Sequence, residues 1–85
     1  MQPVVLVGHR HSCPTHGEGT VVSGAAHAQV DGRPIARVGD TISCGAVIQT
    51  GSPAATVEGR AVARMGDKTS HGGVLIEGEG GWLVD

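Results

Sequence analysis

The 85-residue chain carries 6 Lys or Arg against 8 Asp or Glu, for a formal charge of −2, and has 15 Gly, no Phe, no Tyr and one Trp. A length this short allows one domain, which buries roughly 60–65% of the surface its unfolded chain exposes, and aliphatic side chains must build its core. Interspersed charges and the lack of aromatic platforms exclude nucleic acid as an expected partner, and no apolar run approaches the ~20 residues of a membrane helix.

The chain opens with the apolar run Pro3-Val4-Val5-Leu6-Val7 before Gly8, which lacks the basic flank of a secretory signal. The chain is therefore expected in the cytoplasm unless a signal-independent route exports it. In that reducing setting Cys13 and Cys44 read as metal ligands or buried thiols rather than as a disulfide. Gly8-His9-Arg10-His11-Ser12-Cys13-Pro14-Thr15-His16-Gly17 follows as a polar loop reaching towards Gly24. Next, Ala28 to Val30 and Ile35 to Val38 are expected to pair as short strands around Asp31-Gly32, a dipeptide suited to a tight hairpin turn. Gly39-Asp40 then makes a turn, a short loop carries Ser43-Cys44, and Val47-Ile48 leads to Gly51. The same succession returns: Ala55 to Val57 with Val62 to Met65 around Glu58-Gly59, then Gly66-Asp67, Ser70-His71, Val74-Leu75-Ile76 and Gly78. Short strands separated by turn signals, with no amphipathic helical stretch, predict an all-β domain.

The succession has a period. Gly24, Gly51 and Gly78 are 27 residues apart, and so are Asp31, Glu58 and Asp85. Val30 to Asp40 aligns over Val57 to Asp67 without a gap, which gives three repeats within one domain spanning residues 1–85. The last unit stops where its hairpin turn would begin, and Pro3 to Gly8 matches the second half of a unit, so the two ends complete one unit between them. Such an arrangement predicts a closed object of pseudo-threefold symmetry, since an open solenoid would need capping repeats.

One irregularity stands out. Gly39 to Gly51 and Gly66 to Gly78 each span 12 residues, whereas Gly8 to Gly24 spans 16. Five residues beyond the anchoring Gly lie Cys13, Cys44 and His71, each directly after a Ser. Threefold symmetry would gather these thiols and imidazole near the axis, and such donors suit Zn²⁺. A tetrahedral metal needs a fourth ligand, for which the insertion offers His16, at Cys-x-x-His spacing from Cys13; His11 or His9 could stand in for Cys13 or His16. His27 lies in a hairpin strand and reads as a packing or surface residue. A Cys-His nucleophile would need a cleft, an orienting group and an oxyanion site, for which so small a domain has little room, so no enzymatic activity is expected. Gly78-Glu79-Gly80-Gly81 lacks the Lys and helix of a phosphate loop. Asp40 and Asp67 are expected to close turns on backbone amides, and Arg37 and Arg64 to lie on the sheet exterior or to pair with a neighbouring acid.

These residues resemble the PAAR-repeat family of type VI secretion systems. The family tetrad and its Val-Gly-Asp tail are matched by Pro34-Ile35-Ala36-Arg37-Val38-Gly39-Asp40 and Ala61-Val62-Ala63-Arg64-Met65-Gly66-Asp67, and degenerately by Pro3-Val4-Val5-Leu6-Val7-Gly8-His9. Gly51-Ser52-Pro53 and the loops Thr69 to Gly73 and Ser12 to Gly17 also look like family segments. The resemblance implies a sharp cone of β-hairpins with zinc near its apex, often held by three His and one Cys. It also implies a base that docks on the blunt end of the trimeric VgrG spike, as a structural tip sharpening the spike for membrane puncture and effector delivery. The implied protein is a monomer when free, made in the bacterial cytoplasm and exported by the secretion system itself, touching the target membrane only during puncture. An adaptor that loads a separately encoded effector or its chaperone is the alternative role. The repeat uses nearly every residue up to Asp85, so no effector extension is expected. Repeat spacing and family agree on His16, Cys44 and His71, and leave Cys13 and His11 as alternatives for the fourth metal ligand.

Overall fold

Asp31 and Gly32 both adopt positive φ, 51° and 78°, and Glu58 and Gly59 repeat the pair at 53° and 81°. Two consecutive positive φ values make the tight two-residue turn whose twist matches a hairpin. In the computed structural model, which describes residues 1–14, 17–70 and 72–85, these turns join β4 (Gln29–Val30) to β5 (Arg33–Pro34) and β6 (Thr56–Val57) to β7 (Arg60–Ala61). Val30 stands opposite Arg33, and Val57 opposite Arg60. The partner strands thus begin earlier than the expected Ile35 and Val62, because a two-residue turn brings the very next residue into register.

The residues expected to complete each hairpin pair between units instead. Leu6 bridges Ile35, Arg37 bridges Val62, and Arg64 bridges Val4. Between these bridges the backbone closes a ring: Ala36 N–H donates to Val5 O, Ala63 N–H to Ala36 O, and Val5 N–H to Ala63 O, each at 2.9–3.0 Å. A second ring runs parallel, with Val7, Val38 and Met65 donating to Pro34, Ala61 and Pro3 at 2.9 Å. The third hairpin is assembled from β1 (Gln2–Val4) and β9 (Glu79–Val84), where Gln2 faces Val84 as Arg33 faces Val30.

Alternate residues of the ring strands point to opposite sides, and two apolar clusters result. Val4, Leu6, Ile35 and Val62 form one. Val5, Ala36 and Ala63 lie in the other, with Val21, Ile48, Leu75, Ile42 and Ala46. Alanine at two of the three central positions suits a place where three backbones converge. On this second side the four extra residues of the first unit lengthen a strand pair: β2 (Arg10–Cys13) and β3 (Gly17–Thr20) pair over four positions, with β8 (Val74–Leu75) on the other edge of β2. The corresponding loops carry single bridges, Thr41 to Val47 and Lys68 to Val74. All strands pair antiparallel, no helix occurs among the described residues, and so none is long and apolar enough to cross a membrane.

Candidate functional site

Three of the candidate ligands, Cys13, Cys44 and His71, each follow in sequence a serine that clamps one unit to the next. Ser43 donates its N–H to Thr20 O at 2.8 Å and accepts the Thr20 N–H on Oγ at 3.1 Å. Ser70 does the same with Val47, donating to its carbonyl at 2.9 Å and accepting its N–H at 2.9 Å. Ser12 stands opposite Val74 in the β2–β8 pair. The three clamps form a cycle, and Cys13, Cys44 and His71 are the next residues along the chain from them.

Cys13 ends β2 opposite Gly17 and is 2% exposed, while Cys44 is half-buried against the second apolar cluster. His16 and His71 lie outside the described residues. No group of three His, Cys, Asp or Glu side chains able to hold a metal gathers among the described residues. The donors themselves, two thiols and two imidazoles, match zinc in softness and number, and both thiols lie at the side of the molecule where the three loops meet.

His11, the alternative fourth ligand, lies two residues before Cys13 on β2, and both are buried. It occupies the repeat position of Ile42 and Thr69, and all three are buried. Its Nε2 is 2.6 Å from Thr69 Oγ1. Gly73 lies flat against the ring: a Cβ there would come within 3 Å of Nε2 and Cε1. The imidazole is thereby built into the core, hydrogen-bonded where the second unit has an isoleucine.

A second constellation repeats in two of the three units. Asp40 Oδ2 accepts the Arg37 backbone N–H at 2.8 Å and its Nε at 3.1 Å, and Asp67 Oδ2 repeats both contacts with Arg64 at 2.7 and 3.1 Å. Both acids thus close turns on backbone amides as expected. Both arginines pair with acids, and the Arg37 side chain is only 11% exposed rather than exterior. Hydrogen bonding to Asp40 is the main reason that the Arg37 pKa is raised. Arg37 Nη1 also reaches Glu58 at 2.9 Å in the next unit, and Glu58 accepts the N–H groups of His27 and Ala26 at 2.8 and 3.3 Å. Those bonds, led by that of His27, hold the Glu58 pKa below its ordinary value.

In the first unit Leu6 and His9 replace the Arg-Asp pair, yet the turn is kept. Leu6 N–H donates to His9 Nδ1 at 3.0 Å, the bond that Asp40 and Asp67 make with oxygen. Burial, and then the charge of Arg33, lower the His9 pKa, as suits a nitrogen that must keep its lone pair. The sequence offers His9 as an alternative metal ligand, and its alignment with Asp40 and Asp67 is the signal for this turn-closing role. His27 is exposed, as expected of a hairpin-strand residue.

An all-β chain in which repeated hairpins are tied into a ring, with Arg-x-Gly-Asp turns leading into Cys- or His-bearing loops, defines a small repeat-built module. The family model described as the PAAR motif matches residues 1–50 and 47–77. The chain belongs to the PAAR motif family, and a role related to the tip of the type VI secretion spike, with a spike protein as partner, follows from that membership. No curated protein matches the chain.

Proposed function

We propose that this chain is a structural spike-tip protein that caps the trimeric VgrG spike of a type VI secretion system and is pinned by one zinc ion where its three loops meet. The observation that carries the reading is the closed three-way ring of backbone hydrogen bonds through Val5, Ala36 and Ala63. A ring of three near-equivalent units has the pseudo-threefold symmetry of a cone, and its base can match a trimeric end one unit per subunit. Strand edges there would be covered by the partner. Rigidity follows from the ring and the inter-unit serine clamps, and rigidity is what a puncturing tip needs if it is to carry effectors through a membrane. The role is mechanical and uses no catalytic group.

Cys13, His16, Cys44 and His71 are the ligands in this reading. Bound zinc would cross-link the three loops, and structural zinc contributes on the order of 10 kcal/mol to the folding of small domains. The Nε2 of His11 meets Thr69 Oγ1; a ring bonded at one nitrogen can ligate through the other, so His11 stays the alternative to Cys13 and the two are separated by substitution. Elemental analysis should find one zinc per chain in the wild type and in a His11→Asn variant, and a marked loss of zinc in Cys13→Ser. Retention of zinc by Cys13→Ser with loss in His11→Asn would reverse the assignment. A melting temperature unmoved by chelation would contradict the zinc pin altogether.

A further inference from the structure

Arg33 and Arg60 occupy equivalent positions directly after the two hairpin turns, and each lies over a glycine of the turn in the preceding unit. Arg33 Nε donates to Val7 O at 2.9 Å, and a Cβ on Gly8 would meet Arg33 Nη2 at 2.8 Å. Arg60 lies over Gly39 in the same manner, with Nη1 at 3.4 Å from such a Cβ and at 3.7 Å from Asp40 Oδ1. The third position of the set is Gln2, which faces Val84 as the two arginines face Val30 and Val57. Gln2 is exposed, and nothing lies within 4 Å of the Cβ position of Gly66, the third glycine. A cavity of about 450 Å³ opens there, bounded by Gln2, Arg64, Met65, Gly66, Asp67 and Ile76.

The geometry points to a receptor for one guanidinium group in this cavity, supplied by an arginine of a partner polypeptide. Three features found across the two filled sockets recur, the carbonyl contact being that of Arg33 and the carboxylate contact that of Arg60. Met65 O corresponds to Val7 O, the acceptor for Arg33. Asp67 corresponds to Asp40, which holds Arg37 and Arg60 together, whereas among the described residues Asp67 has Arg64 as its one ion-pair partner. Gly66, at φ 95°, leaves the same flat floor that Gly8 and Gly39 provide at φ 94°. Two guanidinium groups beside one carboxylate are thus an arrangement the molecule already uses. The planar fork of a guanidinium can bond a carbonyl and a carboxylate at once, which an ammonium cannot do in the same pose. This receptor stands independently of zinc and of the spike.

The test is an amide chemical-shift titration of the full chain with N-methylguanidinium, alongside methylammonium at equal ionic strength. Wild type and Gln2→Ala should show saturable shifts at Met65, Gly66, Asp67 and Ile76, with Gly8 and Gly39 unmoved and a several-fold weaker response to methylammonium. Gln2→Arg, which fills the socket from within, should abolish the shifts and raise the melting temperature. Absence of saturation in wild type, persistence of the shifts in Gln2→Arg, or an equal response to methylammonium would each overturn the proposal.

Discussion

Arg37 connects three parts of the ring: its own turn through Asp40, the next unit through Glu58, and Gly24 O at 3.3 Å. Removing it leaves Asp40, 4% exposed, without its main counter-charge. Breaking such a pair from one side costs about 3 kcal/mol or more, so Arg37→Ala should lower the melting temperature by roughly 12 °C or more. Arg37→Lys should recover only part of that, because a point charge cannot serve both acids. Glu58 adds an acid-side dependence. Its folded pKa lies below the ordinary 4.5, so its contribution is complete above that value and is lost as pH falls through the folded pKa. Acid melts of Glu58→Gln should accordingly show a shallower fall in stability below pH 4.5 than wild type. His9 carries a third expectation. His9→Ala leaves the buried Leu6 N–H without its acceptor, a loss of about 1–3 kcal/mol, and His9→Asn, whose carbonyl can accept the same bond, should restore most of it in a thermal melt.

At the scale of elements, the hairpin turns were legible because Asp31-Gly32 and Glu58-Gly59 have one conformation that suits them, whereas the strands after them were not. The run from Ile35 to Val38 is apolar in the pattern of a hairpin strand, but its partners are Leu6 and Val62 in other units, and periodicity within one segment carries no information on which neighbour it meets. The first-unit segment from Gly8 to Gly17 reads from the sequence as a polar loop, and its described part includes the strand β2, which ends at Cys13 and pairs with β3. Gly24, Gly51 and Gly78 recur for a reason of close approach: a Cβ on Gly51 would come within 2.8 Å of Val62 O. Gly51→Ala should therefore destabilise by about 1–3 kcal/mol through overpacking, read as a shift in the urea midpoint without a change in slope.

For the whole molecule, the 27-residue period foretold closure, and closure is visible as rings of hydrogen bonds that return to their starting strand. Of the proposed centre, residue types and repeat positions could be read from the chain, while burial could not. Cys44 is half-buried against the core, whereas Cys13 and His11 are both buried on β2, His11 beside Thr69 and Gly73. The period marks which residues are equivalent, while the packing around each is set by neighbours from other units. A ring of three units invites a trimeric partner at one end, and the clamped loops invite a single ion at the other. Native mass spectrometry of the chain mixed with the proposed partner, a VgrG trimer, reads both together. The account predicts one complex containing three VgrG subunits, one copy of this chain and one zinc ion. Failure to form a complex, three copies of the chain per trimer, or a complex without zinc would contradict it.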